Sequence, residues 1–279
     1  MDGVLPRSIL PRLRELDISP AWRARNLCAI FHRLHSAELH RVAINTLDYI
    51  DSSSLQEVCE TTIACFPSLI TFSCHVSHPG EPGSDPLPVT PLVKAITPLL
   101  SAPSLVSVTI STSDMELRNP QLTLVDDDLH AIAASWPCLR DLCLIGFNPD
   151  TTAEGSTPAS ISMSAVVALA VGCPALQRLE LPSLELRAHR LGPVPTYPFL
   201  NHSLRSLHAR DLLCDDYSAA AVILDRLFPR LDVMPQLGHL SRSARGARTT
   251  AQALSAFGGT RVANYRLFLA IAVCQDGRY

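Results

Sequence analysis

Pro137-Cys138-Leu139-Arg140-Asp141-Leu142-Cys143-Leu144 reads P-x-L-x-x-L-x-L, and this frame returns along most of the 279-residue chain. Pro11 to Ile18, Pro67 to Cys74, Pro103 to Ile110 and Pro174 to Leu181 follow it. Ala37 to Ile44 and His202 to Ala209 lack the proline, and an eighth copy, from Pro229, degenerates after Leu231. The first leucines are Leu13, Leu39, Leu69, Leu105, Leu139, Leu176, Leu204 and Leu231, with successive spacings from 26 to 37 residues. Self-similarity of this kind decides the architecture before local propensity is weighed.

Within the frame the last residues alternate. Leu142 and Leu144 point to one face of a strand, Asp141 and Cys143 to the other. Between frames the apolar period changes from two to about 3.6, which reads as helix. Asp126-Asp127-Asp128 opens one such stretch with acids where the helix dipole favours negative charge. Thr90-Pro91 reads as an N-cap followed by proline at the first helical position. Ser54 with Glu57 reads as a capping box. Cys214-Asp215-Asp216-Tyr217 opens another helix. The proline heading each frame ends the helix and favours extended chain before it. No single unit can bury its apolar strand face alone, so the units must stack. The expected fold is an α/β leucine-rich repeat solenoid of seven to eight irregular repeats, with a curved parallel sheet inside and helices outside. The shortest spacings fall in the leucine-rich repeat range of roughly 20–29 residues, and the longer ones need insertions.

The insertions fall in four strand-to-helix connections, roughly 75–89, 111–124, 145–159 and 182–201, two of them rich in Pro, Gly, Asn and Asp. All leave the same end of their strands. The solenoid is expected over 1–240. Residues 241–279 then form a basic linker, Ser241 to Arg248, and an apolar helix, Val262 to Ala272, that could cap the stack.

Strand positions facing away from the core are the better functional candidates. They are Glu15, Asp17, Arg41, Thr71, Ser73, Ser107, Thr109, Asp141, Cys143, Arg178, Glu180, Ser206 and His208. Together they would line the concave sheet, with a small, hydroxylated middle and charged flanks. Such surfaces serve extended protein contacts.

Composition supports a packed core and excludes several classes. The chain is 47% hydrophobic and 18% charged, with net charge −3 and pI near 6.3, so no overall basic surface exists for nucleic acid. The linker arginines lack an aromatic on which a base could stack. No apolar run approaches the roughly 20 residues that span a bilayer, and Asp2, Arg7, Arg12 and Arg14 interrupt any signal-peptide core. An intracellular protein, cytoplasmic or nuclear, is expected. Nine cysteines without a C-x-x-C pair do not suggest a disulfide framework.

Trp136-Pro137-Cys138-Leu139-Arg140-Asp141-Leu142, Cys173 to Leu181 and Leu227-Phe228-Pro229-Arg230-Leu231 resemble the F-box-type leucine-rich repeat proteins abundant in basidiomycete fungi. The resemblance covers about residues 8–235. In that family an N-terminal F-box module binds the adaptor of an SCF ubiquitin ligase, and the repeats bind a target. This chain departs from the pattern because its first frame leaves no room for the roughly 40-residue F-box. The SCF adaptor is therefore an implied partner only if an F-box lies outside this chain. The consensus asparagine is also displaced, since Leu144 is followed by Ile145-Gly146-Phe147 and Asn148 comes one place late.

Catalytic chemistry leaves little trace. His32, His35 and His40 lack the fourth zinc ligand, as do Cys74, His75 and His78. No G-x-S-x-G, P-loop or G-x-G-x-x-G is present. The expectation is a non-enzymatic protein-recognition module for an unknown protein target, without metal, cofactor, nucleic acid or membrane. The alternatives are a free-standing scaffold repeat protein unrelated to ubiquitin transfer, and a hydrolase with a loop-borne site.

Overall fold

The computed structural model describes residues 8–9, 12–19, 22–48, 52–77, 90–112, 122–147, 160–186, 197–214 and 217–232. In chain order they form β1 (Ser8–Ile9), β2 (Glu15–Ile18), β3 (Trp22–Arg23), α1 (Ala24–Phe31), β4 (Leu34–His35), β5 (Arg41–Asp48), α2 (Ser52–Cys65) and β6 (Thr71–Ser77). Then come β7 (Thr90–Pro91), α3 (Leu92–Leu100), β8 (Ser107–Thr112), β9 (Leu122–Thr123), α4 (Asp126–Ser135) and β10 (Asp141–Ile145). The last are β11 (Ile161–Ser162), α5 (Met163–Gly172), β12 (Arg178–Leu186), β13 (Ser206–Cys214) and α6 (Tyr217–Leu227).

The architecture is α/β. Nine of the strands form one parallel sheet with helices against it, and the sheet does not close into a barrel. Its long strands lie in sequence order, β2-β5-β6-β8-β10-β12-β13. The first seven of the eight expected frames each supply one of these strands, and the eighth runs on past Asp232, beyond the described residues. β3 pairs with β5 beyond β2, and β11 with β12 beyond β10, so these two-residue strands continue the lines of β2 and β10. Each of β3, β7 and β11 runs directly into a helix, and β9 precedes α4 by two residues. The helices pack on their sequence neighbours, α1 on α2, α2 on α3, α3 on α4 and α4 on α5.

The proline of the frame works through a tight turn. The Leu69 N–H donates to Phe66 O (3.2 Å), Leu105 to Ala102 O (3.3 Å), Leu139 to Trp136 O (3.1 Å), Leu176 to Cys173 O (3.0 Å) and Leu231 to Phe228 O (3.0 Å). Each bond spans i to i+3 with proline at i+1, where its fixed φ suits the turn and no donor is lost. The residue before the proline closes the helix and is buried: Phe66, Trp136, Cys173 and Phe228 are fully buried, and Ala102 nearly so. Their side chains reach back one unit. Trp136 Nε1 donates to Leu99 O (3.0 Å), and the Cys173 thiol donates to Trp136 O (3.3 Å). His202, at the head of one of the two units without a proline, places Nε2 3.0 Å from Cys173 O.

The core lies between sheet and helices. Along β6 and β10 burial alternates strictly, with Phe72, Cys74, Val76, Leu142 and Leu144 inside. Leu39, Leu69, Leu105, Leu139, Leu176 and Leu204 are buried as well. Phe31 and Phe66 meet edge-to-face at 5.3 Å, joining the first helices to the first full turn.

Several local expectations shift. The helix after Thr90-Pro91 begins at Leu92, so Pro91 holds the cap position itself with extended backbone (ψ 137°). α2 begins at Ser52, which puts Ser54 and Glu57 inside the helix rather than across its start. Pro182 to Leu186 is strand rather than loop. β12 passes through Pro182, and its missing donor falls between the paired residues Leu181↔Ala209 and Ser183↔Asp211. Most of the other three connections, and all of 241–279 with its expected cap, lie outside the described residues.

Gly172 shows how closely the helices approach. A Cβ there would overlap the Ala133 carbonyl oxygen and sit 2.8 Å from Ala133 Cβ. Helix propensity alone favours Gly172→Ala by about 1 kcal/mol. The overlap is with backbone that cannot swing aside, and overpacking costs about 1–3 kcal/mol. Gly172→Ala is therefore expected to lower the urea midpoint. A raised midpoint would show that α4 and α5 part freely.

Candidate functional site

Among the described residues the helices pack on one face of the sheet, and on the other, open face the outward positions of β2, β6, β8 and β10 are exposed or half-buried. The thirteen residues chosen from sequence fall on that open face in two rows. Glu15, Arg41, Thr71, Ser107, Asp141, Arg178 and Ser206 are register partners across seven strands. Asp17, Ala43, Ser73, Thr109, Cys143, Glu180 and His208 form the second row, in which only Ala43 was not among the candidates. The sheet thus brings all thirteen onto one continuous surface.

The rows differ along their length. At the β2 end Arg41 lies 3.7 Å from Glu15, with both side chains largely exposed. Asn45 Nδ2 donates to Asp17 Oδ1 and Ser19 Oγ. In the middle Thr71, Ser73, Ser107 and Thr109 are half-buried, and their hydroxyls make no side-chain hydrogen bond among the described residues.

Toward β12 the surface is knotted together. Arg178 Nε donates to Glu180 Oε1 at 2.9 Å, and its terminal nitrogen contacts the same oxygen. The Cys143 thiol donates to Glu180 Oε2 at 3.1 Å. Burial alone would push the Glu180 carboxyl up, but the bonds from Arg178 and Cys143 outweigh it and hold the group below its ordinary value. Burial, reinforced by the Glu180 charge, pushes the Cys143 thiol up to about 12. This thiol is a hydrogen-bond donor at neutral pH and a poor nucleophile.

A third row went unrecognised in the sequence. His75 and Ser111 are register partners, and Ile145 follows on β10. His75 Nδ1 lies 2.9 Å from Ser111 Oγ. The frame ends at its last apolar residue, so counting outward positions within it stops two residues short of this pair. Alternation carried past Cys74 and Ile110 would have found both. Just before the strands, Arg140, Gln177 and Arg205 form a further exposed line beside the first row.

Among the described residues, no group of three or more His, Cys, Asp or Glu side chains could hold a metal ion. The Asp126 and Asp128 carboxylates are engaged with helix starts instead. Asp128 accepts the N–H of Val125 (2.8 Å) and of Val93 (3.1 Å). Asp126 accepts the N–H of Ser162 (2.9 Å) and its hydroxyl (2.6 Å). The expected helix start at Asp126 is present, and its acids also tie α4 to the beginnings of α3 and α5. Burial pushes the Asp128 carboxyl up despite its two backbone donors. The buried thiols of Cys74 and Cys173 are likewise pushed up to about 12 by burial. Among the described residues no helix is long and apolar enough to cross a membrane.

No protein-family model matches this sequence, and no curated protein matches it at a significant level.

Glu180 yields a pH-dependent test. Its carboxyl lies below its ordinary value in the folded chain, so its contribution is present at neutral pH. The contribution is lost as pH falls below the usual glutamate range. Arg178 is 57% exposed, so solvent screening limits the contact to about 1 kcal/mol. Glu180→Gln should lower unfolding stability by that amount at pH 7, with the gap closing at pH 3. An equal gap at both values would mean that charge plays no part.

Proposed function

We propose that this chain is a leucine-rich repeat solenoid whose open sheet face binds a protein without catalysis. Its nearest functional analogue is the target-binding region of an F-box ubiquitin-ligase receptor. The observation that carries this reading is the pair of seven-residue rows running across the strands, one residue per strand, on a face that none of the described helices covers. The regular sequence order of the strands and the recurring Pro-turn support the repeat architecture. A continuous polar strip built this way suits an extended partner, because each strand offers the same two positions at about 4.8 Å steps. The thiols on or behind this face, Cys143 and Cys74, are pushed up to about 12 and are poor nucleophiles at neutral pH.

The centre of the face offers the cleanest test. Thr71→Lys with Thr109→Lys places two cations among hydroxyls without touching the core. A helix-side control, Glu60→Lys, alters an exposed residue of α2. Affinity purification of the full chain should recover a protein with wild type and control and at least tenfold less with the double variant, at an unchanged thermal midpoint. Equal recovery from all three, or recovery of no specific protein, would overturn the reading. Direct binding to purified SCF adaptor decides the ubiquitin branch. Binding places the chain with the ligase, and no binding leaves a scaffold-type repeat module.

A further inference from the structure

α5 is the anomaly of the helical layer. Every other described helix carries charge: Arg25 in α1, Glu57 and Glu60 in α2, Lys94 in α3, three aspartates in α4, and Asp225 and Arg226 in α6. α5 reads Met-Ser-Ala-Val-Val-Ala-Leu-Ala-Val-Gly and has none, and the chain is uncharged from 155 to 177. A helix apolar all round is normally buried on all sides. Here only Met163, Ala165, Val166, Leu169 and Ala170 are buried, while Val171 is 63% exposed.

The segment beside it adds to the patch. Residues 197–202 are held between the ends of α5 and α6. His202 Nε2 lies 3.0 Å from Cys173 O, and Arg226 Nε donates to Tyr197 O at 2.6 Å. Phe199 projects from this bridge at 67% exposure. Two of the three large exposed hydrophobic side chains among the described residues therefore lie at one corner.

The chain also contains an apolar segment in need of cover. Residues 262–274, Val-Ala-Asn-Tyr-Arg-Leu-Phe-Leu-Ala-Ile-Ala-Val-Cys, carry one charge, Arg266. The described chain ends at Asp232, whose N–H donates to Arg205 O, and the Arg205 N–H donates to Gln177 O. That places Asp232 two strand spacings, about 10 Å, from the strand that follows α5. Twenty-nine residues, the number from 233 to 261, reach about 30 Å even at random-coil dimensions, enough to return to this corner.

We propose that residues 262–274 dock in cis on the outer face of α5, covering Val171 and Phe199. The expected cap on the end of the stack would then be a cover on its flank. Hydrogen exchange of the full chain, read by mass spectrometry, tests this. Amides of 262–274 should exchange at least tenfold slower than in the free peptide, and Val171→Asp with Phe199→Asp should abolish that protection. The reciprocal variant, Leu267→Asp with Phe268→Asp, leaves residues 8–232 unchanged and guards against a folding defect in the first. It should raise the fluorescence of an added anilinonaphthalene sulfonate several-fold as the patch is bared. Unprotected 262–274 in the wild type, or protection that survives the α5-side variant, would overturn the proposal. So would a dimer in sedimentation that the α5-side variant dissolves, since a second copy would then be the cover.

Discussion

The carbonyl of His40 accepts two N–H groups from the next strand, those of Ile70 and Thr71, each at 2.8 Å. The same three-centred contact recurs from Arg14 O to His40 and Arg41, from Ile70 O to Val106 and Ser107, and from Val106 O to Arg140 and Asp141. It continues from Arg140 O to Gln177 and Arg178, and from Gln177 O to Arg205 and Ser206. This contact clamps the start of each strand to the start of the one before it. A one-residue slip would turn every leucine of a strand out of the core and every polar residue into it. With each start pinned, seven strands share one register, and the polar rows are a consequence of that pinning.

The turn before each clamp carries the second half of the constraint. The helix must end with its last backbone groups satisfied and its last side chain inside. Phe66, Trp136, Cys173 and Phe228 meet both demands, closing the helix through backbone bonds while filling the space behind the proline turn. Where the proline is missing, His202 fills the place by another route. Nε2 lies by Cys173 O, Nδ1 accepts the Leu204 N–H at 3.1 Å, and the ring stacks edge-on against Phe228 at 5.8 Å. Burial pushes its pKa down, which keeps the imidazole neutral and able to donate at one nitrogen while accepting at the other.

Much of this was legible because the frame is a register mark as well as a repeat. Eight residues specify a turn, a buried leucine, two outward positions and two inward ones, so Asp141 and Arg178 could be placed side by side without coordinates. Structure beyond the frame was not legible. The two-residue strands β7, β9 and β11 are too short to show a period. β12 runs on through Pro182 because the proline falls where its missing donor leaves the flanking pairs intact, a condition no local rule reveals. The acids of α4 were readable as a helix start, but their bonds to Val93 and Ser162 depend on which helices lie beside them. His75 and Ser111 escaped because the motif ends before their strands do.

The open face is not energetically uniform, and this bears on where a partner can gain most. Arg178, Glu180 and Cys143 already satisfy one another, so a ligand group that engaged them would first have to break charge-assisted bonds. Asn45, Asp17 and Ser19 are similarly occupied at the other end. Between them the hydroxyls of Thr71, Ser73, Ser107 and Thr109 have no side-chain hydrogen bond among the described residues and stand ready for water. Contacts to these groups exchange water for protein without dismantling anything, and their small side chains lose little rotamer freedom. For a partner bound as proposed, the flanks would act as rigid, charged margins that orient and exclude. The middle of the sheet, chemically the plainest part, is where such association would cost least.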